Sequence, residues 1–162
     1  MRRMYSKPQL LEAVEQEAEV NGFKAFENIV DKDGHKRFIE ETFTPQTISG
    51  VEFTYSKWSL SGTHLLIVLA GNVANGTTLA GSQYWAYLPL PNWIKSKIVA
   101  MVGQFVSRVQ VYFYDSSLST QDSYFNLLKT SDNQIIIYKV GSNNISSDKT
   151  FRIAFDLLID DE

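Results

Sequence analysis

The feature that most constrains this chain is the period-two pattern of its last segment. Phe151, Ile153, Phe155, Leu157 and Ile159 alternate with Arg152, Ala154, Asp156 and Asp160. Successive side chains of a strand point to opposite faces, so this run buries one face and wets the other. On a helix the same apolar groups would be scattered around the axis. Shorter runs of the same kind occupy 51–60, 83–88, 108–115, 124–130 and 134–140. Residues 63–70 are apolar on both faces, as expected of a strand in the middle of a sandwich or packed against a subunit interface. Residues 23–30 and 36–43 flank Asp31-Lys32-Asp33-Gly34, whose Asp-Gly pair is a hairpin signal. Turns such as Ser131-Asp132-Asn133 and Gly141-Ser142-Asn143-Asn144 separate the later runs. About nine or ten short strands of this kind predict a mainly all-β fold, an antiparallel β-sandwich that is jelly-roll-like.

Two segments read as helix. Near the N-terminus, Ser6 stands three residues before Gln9 in capping-box spacing, Pro8 fits a first turn, and Gly22 supplies a stop. Leu11, Val14 and Ala18 form a seam opposite Glu12, Glu15 and Glu19. A helix of this length needs something to pack on, either its own domain or further copies of itself in a short trimerising coiled coil. The domain reading is therefore 1–22 as an N-terminal α-helix and 23–162 as the sandwich. A second short helix is expected at 92–99, entered through Pro91, with Trp93, Ile94 and Ile98 on one side.

Composition narrows the chemistry. The chain has no cysteine, which removes disulfides, zinc-thiolate sites and thiol nucleophiles. A net charge of −3 provides no global field for nucleic acid or an anionic membrane surface. The basic start is not followed by an apolar segment of signal-peptide length, and Leu65–Ala70 is too short a run to span a bilayer.

The motifs that mimic catalytic or binding loops fail on specific residues. Gly71-Asn72-Val73-Ala74-Asn75-Gly76-Thr77-Thr78 has the outline of a phosphate loop, but Thr77 stands where the lysine is needed and strand follows where a helix must. It reads as an inter-strand loop. Asp31-Lys32-Asp33-Gly34 lacks the later ligand positions of a calcium loop and reads as a hairpin tip. His35 and His64 have no histidine partner at metal spacing and are expected to have no patterned carboxylate neighbour. Glu40 and Glu41 are adjacent on a strand and point apart, and there is no nucleophile elbow. The expectation is a non-enzymatic protein without cofactor or metal. Aromatics remain, at 13% of the chain. In 108–115, Val109, Val111 and Phe113 form one face, leaving Arg108, Gln110, Tyr112 and Tyr114 on the other. Such a face serves a sugar-binding or protein-binding site, or else a second layer or subunit contact.

Several segments carry a resemblance. Tyr5-Ser6-Lys7-Pro8-Gln9, the run from Trp58 to Gly71, Leu88-Pro89-Leu90-Pro91-Asn92-Trp93-Ile94 and the final strand are similar to segments of small phage and prophage tail, baseplate or fibre-tip proteins of Gram-positive and gut bacteria. The resemblance implies a trimeric virion component, assembled in the bacterial cytoplasm, whose sandwich recognises host-surface glycan or other virion proteins. It assigns no ligand-contacting residue. The alternative expectation is a free-standing bacterial carbohydrate-binding module.

Overall fold

The computed structural model describes residues 29–47, 50–74, 78 and 83–160. The expected N-terminal helix, with Leu11, Val14 and Ala18, lies outside the described residues, as do residues 23–28 of the first hairpin strand. The chain divides into two compact units, Met1–Ile39 and Glu40–Glu162.

In the first unit the expected turn is present. The Asp31 N–H donates to the His35 carbonyl and the Gly34 N–H to the Asp31 carbonyl, and Val30 bridges Lys36 antiparallel. Gly34 sits at φ +83, a left-handed conformation that glycine adopts without strain.

Nine strands are present among the described residues: β1 (Phe38–Thr42), β2 (Gln46–Thr47), β3 (Val51–Ser61), β4 (His64–Val73), β5 (Gln83–Tyr87), β6 (Phe105–Tyr114), β7 (Thr120–Lys129), β8 (Ile135–Val140) and β9 (Thr150–Leu158). One short helix, α1 (Asn92–Lys97), lies between β5 and β6. The strands form one curled antiparallel sheet in the order β1-β3-β4-β9-β6-β7-β8-β5-β2. Hairpins join β3 to β4 and β6 to β7, whereas β9 inserts between β4 and β6 and β5 pairs with β8. The fold is all-β and sandwich-like, as the alternating runs predict.

The sheet divides into two wings. Strands β4 and β9 pair over nine residues, but β9 meets β6 only at Phe113–Phe151 and Tyr114–Thr150. The wings share this narrow corner and pack through their inner faces. Leu65, Ile67, Leu69, Ile153, Phe155 and Leu157 are buried on one wing, and Val111, Phe113, Phe125, Leu127, Ile135 and Ile137 on the other. Trp85 of β5 closes the joint. Its ring centroid lies 4.3 Å from Phe125, 5.7 Å from Phe113 and 5.4 Å from Phe151 of β9. Edge-to-face contacts at these separations suit the aromatic quadrupoles.

Several boundaries differ from the sequence expectation, each for a tertiary reason. Strand β6 begins earlier because Phe105 pairs with Leu128 and Ser107 with Leu127, and β7 because Asp122 pairs with Tyr112 and Thr120 with Tyr114. The ladder draws in polar residues of weak strand preference. Gly71, Asn72 and Val73 belong to β4 rather than to a loop, since all three pair with both β3 and β9 or its lead-in. Helix α1 stops at Lys97 because Ile98 bridges Ile159 and the Val99 N–H donates to the Leu158 carbonyl. The Lys129 ammonium of β7 donates to the Ser96 and Ile98 carbonyls at 3.0 Å each, capping the end of the helix where cations are favoured.

Candidate functional site

The β6 ladder places Arg108, Gln110, Tyr112 and Tyr114 together on the outward face of one wing, while Val111 and Phe113 point into the core. Register then adds residues that a single-strand reading misses. One row crosses four strands as Arg108, Asn126, Tyr138 and Tyr84, and the next runs Gln110 to Tyr124. Tyr84, Tyr112, Tyr114 and Tyr124 are each between 42% and 50% exposed, so nearly half of each ring is available to a partner. The signal for Tyr124 and Asn126 is in the sequence, in their alternation with Phe125 and Leu127. Tyr84 is harder to read, because a β-bulge between Tyr84 and Ala86 breaks the period there.

The polar groups of this face are held in place. Arg108 Nε donates to Asn126 Oδ1 at 2.8 Å and its guanidinium lies 5.9 Å from the Phe105 ring centroid. Gln110 Nε2 donates to Asp122 Oδ2 at 2.7 Å. Tyr84 and Tyr138 pack with centroids 5.2 Å apart. These cross-strand contacts restrict side chains that would otherwise lose rotamer freedom on binding, so the face pays less entropy to dock.

The β6–β7 hairpin tip at one end of the face is braced by Asp115. Its Oδ1 accepts the Ser117 hydroxyl and the Ser117 and Ser119 N–H groups, and its Oδ2 lies 3.2 Å from the Lys149 ammonium. The Ser117 hydroxyl and then Lys149 hold the Asp115 carboxyl at about 2, below the usual 3.8. Leu118, at φ 61, is carried exposed on this brace.

The hairpin turn of the first unit gathers three groups of metal-ligating type. The sequence expectation that His35 lacks a carboxylate neighbour is corrected. Asp31, Asp33 and His35 bring one donor atom each within 4.8 Å of one another, and the missed signal is their i, i+2, i+4 spacing around a tight turn. Asp31 is already engaged, however. Its Oδ1 accepts the Asp33 and His35 N–H groups at 2.9 Å, and its Oδ2 lies 3.3 Å from His35 Nδ1 and 3.9 Å from Arg37. Local turn bonding accounts for the arrangement. His64 makes a separate exposed pair with Asp156 at 3.5 Å.

Fold and face together define a sandwich-like all-β protein with a tyrosine-rich outer sheet. Comparison with family models, with curated proteins and with solved structures finds no match to this chain.

Proposed function

We propose that this chain is a non-enzymatic structural protein of a phage or prophage particle, acting in assembly or host-surface adhesion as a homotrimer, with the outer β6–β7–β8–β5 face as its docking surface for another particle protein. The observation that carries the reading is the pre-ordered row of Arg108, Asn126, Tyr138 and Tyr84 with Tyr112, Tyr114 and Tyr124 beside it. Tyrosine and arginine dominate the energetic centres of protein interfaces, because they combine large contact area with a polar tip. The resemblance of the chain's segments to small tail and baseplate proteins supports the setting.

Three measurements test it. Particles purified after induction of the bacterium that carries the gene are expected to contain the chain, and its absence from them overturns the virion assignment. A photo-crosslinking amino acid at position 112 is expected to capture a particle protein, while the same probe at Ser59 does not. Equal capture from both positions, or from neither, removes the face from the proposal. Light scattering over a range of concentrations is expected to return a trimer mass, and a strict monomer overturns self-association.

A further inference from the structure

The other wing contains a feature that the docking face does not use. Two adjoining cavities, of about 370 Å³ and 550 Å³, lie along β1 and β3 and share Thr42 and Tyr55. Both volumes fall in the range of small-ligand sites. The β3 bulge opens this groove. Phe53 pairs with Gly71 and Tyr55 with Ala70, so Thr54 is an extra residue, and consecutive Thr54 and Tyr55 are both exposed. Gly71 is what permits the bulge, because a Cβ there would lie 2.1 Å from the Glu52 carbonyl oxygen. The Phe43 N–H donates to the Ser56 carbonyl at 3.1 Å and ties the end of β1 to β3 beside the groove.

We infer that this groove is a binding site for a neutral oligosaccharide. Its chemistry is mixed in the way such a ligand requires. Tyr55 offers exposed aromatic surface to the C–H faces of sugar rings. Half-buried Phe43 and Phe53 line the groove beside it, Phe53 packing edge-on against Phe151 at 5.8 Å. The hydroxyls of Thr42, Thr44 and Thr54 offer hydrogen bonds to the hydroxyl groups of the ligand. Thr54 donates to the Ala70 carbonyl at 3.4 Å, which leaves its oxygen free to accept. In the second cavity, Lys57 and Glu40 pair at 2.7 Å and cancel, so Glu41 is the one uncompensated charge among the described residues of its lining. That lone carboxylate accepts from hydroxyls and disfavours an anion. Tyr55, 47% exposed and common to both cavities, is the wall between two adjacent sugar positions.

The inference is independent of the docking face, and the test separates them. The full chain is screened on a glycan array holding neutral, acidic and basic oligosaccharides. The strongest neutral binder is then titrated into isotope-labelled protein and followed by amide chemical shifts. Binding of a neutral oligosaccharide is expected, with shifts around Thr54 and Tyr55. Tyr55→Ala is expected to weaken it by about tenfold or more, through loss of one stacking surface, and Tyr55→Phe to keep most of it. Tyr112→Ala leaves it unchanged. Tyr55 is a surface side chain, and an unaltered melting curve of Tyr55→Ala confirms that the variant is folded. No neutral glycan binding, binding of charged glycans alone, or binding that survives Tyr55→Ala overturns the groove. Loss with Tyr112→Ala in place of Tyr55→Ala transfers the glycan to the other face and also overturns it.

Discussion

The two wings are built on the same ladder pattern but expose different chemistry. Outside β6, β7, β8 and β5 stand tyrosines whose polar neighbours bond to each other across strands. Outside β4 the exposed column is aliphatic or small, Leu66, Val68 and Ala70, and its partners on β9 are Asp156, Ala154 and Arg152. Charged groups alternate with that column, as in the His64–Asp156 and Lys57–Glu40 pairs. The inner faces differ in charge rather than in polarity alone. Among the described residues of its strands, the β3–β4–β9 wing buries one polar side chain, the Ser56 hydroxyl, whereas the β6–β8 wing buries Ser123 and the Lys139 ammonium. Ser123 donates to the Val140 carbonyl and the Lys139 ammonium to the Asn143 carbonyl, and burial pushes Lys139 below the usual lysine range. The difference teaches that one wing presents an aliphatic column among isolated charges, while the other buries a cation and displays directional contacts outside. Aliphatic exposure contributes area without orientation. Tyrosine with paired arginine, glutamine and asparagine contributes both.

The largest expected effect comes from breaking the joint between the wings. Trp85→Ala removes a fully buried ring in contact with both, and is expected to cost about 3–5 kcal/mol in denaturant unfolding. A loss below about 1 kcal/mol would show that the wings are held elsewhere. Next comes Gly71→Ala, which forces the bulged β3 away from β4. A cost of about 1–3 kcal/mol is expected, with amide shifts confined first to the Phe53–Tyr55 bulge of the β3–β4–β9 wing.

A smaller effect, visible through pH, belongs to the tyrosine wing. Asp115 titrates at about 2 when folded and near 3.8 in its ordinary state, so its stabilisation is complete above the ordinary value and is lost as pH falls toward 2. Thermal melts of the native chain are expected to drop over that interval by more than those of Asp115→Asn, which carries no charge to lose. Parallel curves would remove the Asp115–Lys149 brace from the account. The smallest effects on stability distinguish the outer faces most directly. Tyr124→Ala and Leu66→Ala are each expected to cost about 1 kcal/mol or less, but only the former is expected to reduce capture of a particle protein by a probe at position 112.

Much of this architecture is legible residue by residue. The alternation in β9 names its buried side chains Phe151, Ile153, Phe155 and Leu157 correctly, and that in β6 separates Val111 and Phe113 from Tyr112 and Tyr114. The turn at Asp31–Gly34 is readable because Asp and Gly satisfy a local geometry. Less was readable where the partner strand, not the residue, decides. Gln46–Thr47 is a strand only because β5 lies beside it, and Thr120–Asp122 only because β6 does. The face formed by Tyr84, Tyr124 and Tyr138 with Tyr112 joins residues from four strands, and no local pattern states which strands are neighbours. The groove beside Tyr55 depends on an inserted residue that shifts the register of one strand against another.

The sequence by itself determined the class of fold, the inward set of side chains and the absence of thiol chemistry, since these depend on side-chain type and a period of two. Only the tertiary structure decided that β9 lies between β4 and β6, that Trp85 joins the wings, and that the outer tyrosines form one surface. Pairing order and register are long-range choices, made by packing and hydrogen bonds between residues far apart in the chain, and a local pattern is compatible with several of them.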